Sequence, residues 1–135
     1  MKEHQIELRV RYSETDQMRV VYHGNYIPYF EIGRVEWLRS KGVSYKSLED
    51  SGIALPIVSM TFNYKKPARY DDLLFVTTKL QNHSSVKIEF ECEIRSEQNE
   101  LLTTAHFVLV FVDMKTGRPI VPPAHIKVLL DEIEM

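Results

Sequence analysis

An α+β fold, with one long helix packed on a five-stranded antiparallel sheet, is predicted by three features of this sequence. They are a strictly alternating segment near the start, a stretch of helical period after it, and then a succession of β-branched and aromatic segments. Ile6, Leu8, Val10 and Tyr12 alternate with Glu7, Arg9 and Arg11, which predicts a strand over 6–12 with one wet face. Ser13 to Gly24 breaks that pattern and leads to Asn25, a residue suited to an N-cap, with Pro28 in the first turn where its missing N–H costs little. Tyr26, Phe30, Gly33 and Trp37 then recur at steps of four, three and four, one stripe of a helix that Gly42 ends as its C′ residue. Gly33 inside that stripe costs ~1 kcal/mol against alanine, so its presence predicts a close approach of the helix backbone to the sheet.

A short helical stretch over Ser44 to Ser51 ends at Gly52, and Ile57 to Tyr64 is the first of the later strands. Leu73 to Leu80 follows. Val86, Ile88, Phe90, Cys92 and Ile94 then alternate with Lys87, Glu89, Glu91, Glu93 and Arg95, and Gln98-Asn99 marks a hairpin turn. The expected order is strand, long helix, then four strands in hairpin succession, with a C-terminal helix after Pro122-Pro123. A helix over 25–41 would be ~25 Å long, enough to cover one face of five strands ~19 Å across. Ala105 to Val112 is apolar at nearly every position, which predicts burial on both of its faces. A second copy of the chain would cover the face the helix leaves bare, giving a homodimer or homotetramer.

A length of 135 residues without a linker, repeat or low-complexity tract points to a single domain over 1–135. The formal net charge of −2 offers no basic excess for nucleic acid or an anionic membrane surface, so neither is an expected partner. Cys92 is the only cysteine, which excludes an intrachain disulfide and a cysteine-based zinc cluster and suits a reducing compartment. The start of the chain has no signal-peptide core, and no run approaches the ~20 apolar residues of a membrane span, so a cytoplasmic protein is expected.

Motifs for several chemistries are missing. There is no Gly-x-Ser-x-Gly elbow, no phosphate-cradling glycine loop, no Gly-x-Gly-x-x-Gly after a strand, and no metal-ligand spacing among His4, His23, His83, His106 and His125. No metal or cofactor is expected. Cys92 shares the apolar side of its strand with Phe90 and Ile94, the setting of a core residue rather than a nucleophile. The irregular segment from Tyr12 to Tyr26 remains as the place for chemistry.

That segment, Tyr12-Ser13-Glu14-Thr15-Asp16-Gln17-Met18-Arg19-Val20-Val21-Tyr22-His23-Gly24-Asn25-Tyr26, resembles the active-site stretch of the 4-hydroxybenzoyl-CoA thioesterase family, and especially its bacterial short-acyl members. The resemblance continues through Tyr29-Phe30-Glu31 and through Tyr64-Lys65-Lys66-Pro67-Ala68-Arg69-Tyr70-Asp71-Asp72, and the element order covers almost the whole chain. It implies a hotdog fold and hydrolysis of an acyl-CoA thioester. It also implies Asp16 as nucleophile or general base, and the backbone N–H at His23 as the group that polarises the thioester carbonyl. Arg19 departs from the family pattern, standing where a glycine is common. If that position has positive φ, arginine carries a steric cost there, and its guanidinium could pair with Asp16 or narrow the acyl entrance.

Physical chemistry is compatible with those roles. N–H groups at a helix start are unpaired and carry the positive end of the helix dipole. A carboxylate can attack the acyl carbon or activate water, and a thiol of pKa ~8.5 leaves with little protonation. Each position also has a plain alternative: Asp16 as a turn residue, His23 as a half-buried histidine, and Asn25 as an N-cap. Tyr22, Gly24, Asn25, Tyr26 and Tyr29 are the candidates for lining the substrate pocket, with core or interface packing as the tyrosines' alternative. Lys65, Lys66 and Arg69 are candidates for the CoA phosphates or a solvated face, with Ser84 and Ser85 as a second candidate patch. Two rival functions stay open: a hotdog protein that binds acyl-CoA without turnover, and a hotdog dehydratase or hydratase.

Overall fold

The computed structural model describes residues 2–134. Strand β1 (Glu3–Arg9) leads through 3-10 turns at Tyr12–Glu14 and His23–Asn25 into α1 (Tyr26–Ser40) and α2 (Tyr45–Asp50). After them come β2 (Ile53–Ala54), β3 (Ile57–Tyr64), β4 (Leu73–His83), β5 (Lys87–Arg95), β6 (Leu101–Val110), β7 (Val112–Asp113) and α3 (Ala124–Glu134). The five long strands form one antiparallel sheet in the order β1-β4-β5-β6-β3, and β2 pairs with β7 apart from it.

Helix α1 lies on one face of the sheet because its stripe of large apolar residues has nowhere else to go. Phe30 and Trp37 are fully buried, with ring centroids 5.6 Å from Phe107 and 5.0 Å from Phe90 respectively. Gly33 permits this contact, since a Cβ there would stand 2.8 Å from Thr78 Oγ1 and 3.1 Å from Val76 Cγ1. Helix α2 is capped by Ser44, whose Oγ accepts from the N–H of Ser47, and Gly42 (φ +85°) and Gly52 (φ +91°) end the two helices in the left-handed region. The hotdog architecture, a long helix on a five-stranded antiparallel sheet, is therefore present as the sequence predicts.

Three expectations are corrected. The first strand spans Glu3–Arg9 rather than 6–12, because the backbone of Val10 leaves the ladder to exchange hydrogen bonds with Asp71 and Asp72. The last four long strands do not follow one another as hairpins. β3 pairs with β6, not β4, so the segment 65–72 crosses the end of the sheet before β4 enters between β1 and β5. Nor is the far face of the sheet apolar: Phe107 and Leu109 point to the helix side, while half-buried Thr104, His106 and Val108 lie opposite. Beside them stand Glu89, Glu91 and Glu93, and His106 Nε2 is 3.3 Å from Glu89 Oε1. A neighbour is therefore not required to cover an oily face there.

Candidate active site

The loop joining β1 to α1 has little regular structure but many hydrogen bonds. Glu14 is its anchor. Its carbonyl accepts from Tyr22 N–H (2.9 Å) and from Asn25 Nδ2 (2.8 Å), and its carboxylate accepts from Arg11 N–H (2.8 Å) and Tyr29 Oη (2.8 Å). Burial alone would raise the Glu14 carboxyl pKa, but hydrogen bonds from the Arg11 backbone, Tyr29 and the Arg11 side chain outweigh it and hold the group below its ordinary value. The same contact, added to burial, pushes the Tyr29 hydroxyl well up, so it stays a neutral donor.

Asp16 sits at the tip of a tight reversal closed by its N–H to Val20 O (2.9 Å) and by Arg19 N–H to its own carbonyl (2.9 Å). Its Oδ1 accepts from Met18 N–H at 2.9 Å, the short-range bond of an Asx turn, while Oδ2 has no partner among the described residues. One carboxylate oxygen thus holds the geometry and the other is open. Arg19 has φ +68°, so arginine does occupy a left-handed position there; no ion pair joins it to Asp16 among the described residues. Val21 N–H to Ala68 O (2.8 Å) ties the loop to the crossing segment.

Asp16 lines a cleft of about 320 Å³ together with Met18, Val20, His23, Tyr26, Tyr64, Lys65 and Lys66. On its other side it borders an open depression with Tyr12, Gln17, Arg19 and Tyr70. His23 and Gly24 lie in the 3-10 turn that runs straight into α1, and their N–H groups donate to no backbone acceptor among the described residues. These are the donors left over at a helix start. Tyr22 is half exposed and packs on the His23 ring at 4.3 Å; its own ring lies so near Gly24 that a Cβ there would come within 2.9 Å. A larger residue there would have to displace the Tyr22 ring.

The structure brings most of the candidates together. Asp16, His23, Tyr26, Lys65 and Lys66 share the cleft, with Tyr22 and Gly24 on its rim. Lys66 is already held by Glu100 at 2.6 Å, which leaves Lys65 as the unpaired ammonium beside Asp16 among the described residues. Asn25 is a correction: it is in the helical region (φ −78°, ψ −10°) without a capping bond, because its amide reaches back to the Glu14 carbonyl instead. Arg69 is exposed on the crossing segment, its N–H on Asp72 Oδ2 at 2.8 Å, and does not line the cleft. Ser84 and Ser85 sit in the turn after β4, whose other end pairs with Arg9, and so lie roughly 30 Å from the Asp16 loop of the same chain. Within one chain they are not part of this site.

Glu14 and Tyr64 have places in the site that the sequence does not announce. Tyr64 donates to the His23 carbonyl at 3.3 Å. Glu14 did carry a signal, since Arg11 and Glu14 have the i, i+3 spacing at which a side chain can return to the backbone of a turn. Cys92 is a core residue whose thiol is pushed up to about 12 by burial.

The family profile described as the Thioesterase-like superfamily matches residues 10–130. The chain is 34% identical over 112 residues to the acyl-CoA thioester hydrolase YbgC of Escherichia coli O6:H1, covering 83% of this chain and 84% of that protein. It is 31% identical over 121 residues to the acyl-CoA thioesterase YbgC of Haemophilus influenzae, covering 89% and 88%. Among solved structures, a DHNA-CoA thioesterase from Staphylococcus aureus superposes with a TM-score of 0.96 at 31% identity, over 99% of this chain and 92% of that one.

Proposed function

The chain belongs to the thioesterase-like superfamily, and from that premise we propose that it is an acyl-CoA thioesterase that hydrolyses small or aromatic acyl-CoA thioesters to the free acid and CoA. Asp16 is the nucleophile or general base, and the backbone N–H groups at His23 and Gly24 receive the oxyanion. The observation that carries this reading is the pairing, in one cleft, of a carboxylate with an open oxygen and a helix-start turn with unpaired N–H groups. As the thioester carbonyl is attacked, its oxygen gains charge next to the positive end of the helix, where preorganised donors contribute most. If Asp16 attacks directly, the C–S bond breaks to give an acyl–aspartate anhydride and CoA thiolate, and water then cleaves the anhydride. If Asp16 acts as base, it takes the proton of the attacking water in a single displacement. Either way the thiolate leaves without a dedicated acid, since its pKa of ~8.5 makes it a good leaving group. Lys65 at the rim supplies a cation for CoA phosphate.

The working unit in this reading is a cytoplasmic homodimer joined through β3. That strand is a sheet edge with β6 on one side and no strand on the other among the described residues, and its Val58, Met60 and Tyr64 are exposed. An open edge carrying apolar side chains is a template for pairing with a second strand. Thiol release over a panel of straight-chain and aromatic acyl-CoAs tests the activity. Release of CoA from at least one class is expected; acyl-CoA binding with no release points to a binding protein, and hydration of an enoyl-CoA points to a hydratase.

A further inference from the structure

A second cleft lies at the opposite end of β3, between α1, α2 and the β2–β3 connection. It measures about 270 Å³, and Arg34, Leu38, Tyr45, Leu55, Ile57 and Leu109 form most of its wall. That is slightly under the ~300–1,000 Å³ of a site for a whole drug-sized ligand, so it suits one end of a ligand. Arg34 is the anomaly in it. The residue is 93% buried, at 7% relative exposure, yet Nη1 is enclosed with no hydrogen-bond partner, and no ion pair reaches the guanidinium among the described residues. Its guanidinium lies over the face of Phe107, 4.3 Å from guanidinium carbon to ring centroid. Glu31, one turn earlier on α1, is exposed and lines the same cleft; burial pushes the Arg34 guanidinium pKa down, and the nearby Cys92, Glu31 and Tyr45 only partly offset it. Burying a guanidinium in this way is costly unless an acceptor completes it.

We propose that Arg34 is a specificity-determining residue that binds a hydrogen-bond acceptor, a hydroxyl or carboxylate oxygen, on the far end of the acyl group, and that it does so for the Asp16 site of the partner subunit. The inference rests on the thioesterase reading and on pairing through β3. Tyr64 lines the Asp16 cleft and Ile57 lines the Arg34 cleft, so within one chain the two are separated by seven strand residues, ~23 Å. That is too far for a small acyl group to bridge. Antiparallel pairing of two β3 edges about a twofold axis sets the Ile57 end of one strand beside the Tyr64 end of the other, and each Arg34 cleft then adjoins the partner's carboxylate. Apart from exposed Glu31, the cleft is lined mostly by apolar side chains and Tyr45, so acceptor-bearing acyl groups gain from Arg34 while unsubstituted ones leave it unpaired, which is the arrangement that discriminates most strongly.

The test uses two matched pairs, benzoyl-CoA with 4-hydroxybenzoyl-CoA and butyryl-CoA with succinyl-CoA. Dissociation constants are measured in the full-length dimer carrying Asp16→Asn so that no turnover intervenes. At least one acceptor-bearing member should bind about tenfold or more tightly than its plain counterpart; adding Arg34→Met should bring the ratio below about threefold, and Arg34→Lys should keep part of it. No preference in either pair, or a preference that survives Arg34→Met, overturns the proposal. So does loss of the dimer in Arg34→Met, which would assign the guanidinium to the subunit interface. The melting temperature checks folding, because exchanging an unpaired buried charge for methionine should leave it level or raise it. Mixed dimers then decide which subunit acts. An Asp16→Asn chain paired with an Arg34→Met chain keeps one intact site only if Arg34 works across the interface, so it should hydrolyse the acceptor-bearing substrate with the original preference. Hydrolysis without that preference places Arg34 in its own chain's site and overturns the assignment. Since binding is read without turnover, absence of CoA release by the unsubstituted protein would count against thioester hydrolysis and not against Arg34.

Discussion

The two ends of β3 handle polar groups in opposite ways. At the Tyr64 end, the Asp16 loop is exposed yet nearly every group that could wander is tied: Tyr22 and Asn25 to the Glu14 carbonyl, Tyr29 and Arg11 to its carboxylate, and Met18 to Asp16 Oδ1. At the Ile57 end, a guanidinium is buried against an aromatic face with Nη1 lacking a hydrogen-bond partner among the described residues. Among the described residues the first end leaves one carboxylate oxygen and two N–H groups free, and the second leaves a buried guanidinium nitrogen without a partner. Hydrogen bonds that hold a site in place make it precise, whereas a buried group left without one makes it demand a ligand.

Breaking the hydrogen bonds of the first end should have the largest effect. Glu14→Ala strands the hydroxyl of buried Tyr29 and frees the loop, so stability should fall by about 2–3 kcal/mol and turnover by about tenfold or more. Melting curves and kcat check both, and a variant that melts as before with full kcat would show that the Glu14 bonds do not hold the loop. Glu14 also gives this end a pH signature. Its carboxyl is held below the ordinary value, so its stabilising contribution is fully present above the unfolded-state pKa of ~4.3 and is lost as pH falls through the lower folded-state pKa. The gap in melting temperature between the unsubstituted protein and Glu14→Gln should therefore shrink on acidification through that window.

The middle of α1, between the two ends, gives a control. Gly33→Ala puts a Cβ 2.8 Å from Thr78 Oγ1, which should cost about 1–2 kcal/mol after the gain in helix propensity. Melting temperature should drop while kcat at room temperature changes little; a more stable variant would mean that the helix lifts off the sheet without cost. The smallest effect belongs to Arg19. Arg19→Gly releases the strain of φ +68° but loosens the unfolded chain, so stability should rise by less than about 1 kcal/mol. A marked loss of stability, seen in a denaturant titration, would show that the arginine side chain has a structural role.

The contrast between the ends also explains what could be read from the sequence. Period-two and helical patterns mark β5 and α1 because burial on one face writes itself into residue spacing, β-branched and aromatic content marks β3, and Gly33 is informative because a close approach excludes a Cβ. Strand order was not legible: nothing in the spacing of Ile57 to Tyr64 says that it pairs with β6, since pairing is decided by long-range packing. The polar far face was misread for a related reason, as an unbroken apolar run does not tell which side is covered. Asp16 and His23 stand out in the sequence only through the resemblance to a family motif. Arg34 does not stand out, because on a helix charged residues usually face water, and only packing against Phe107 shows that this one does not.

The central claim is that the open carboxylate of Asp16 carries out the chemistry. The most direct measurement is kcat for CoA release from the best acyl-CoA of the panel, comparing the unsubstituted protein with Asp16→Asn, whose amide keeps a carbonyl oxygen for the Met18 N–H. A loss of ~10² or more is expected, with melting temperature and acyl-CoA dissociation constant nearly unchanged. Retention of more than about a tenth of the turnover would contradict the account, because no other carboxylate lines this cleft among the described residues.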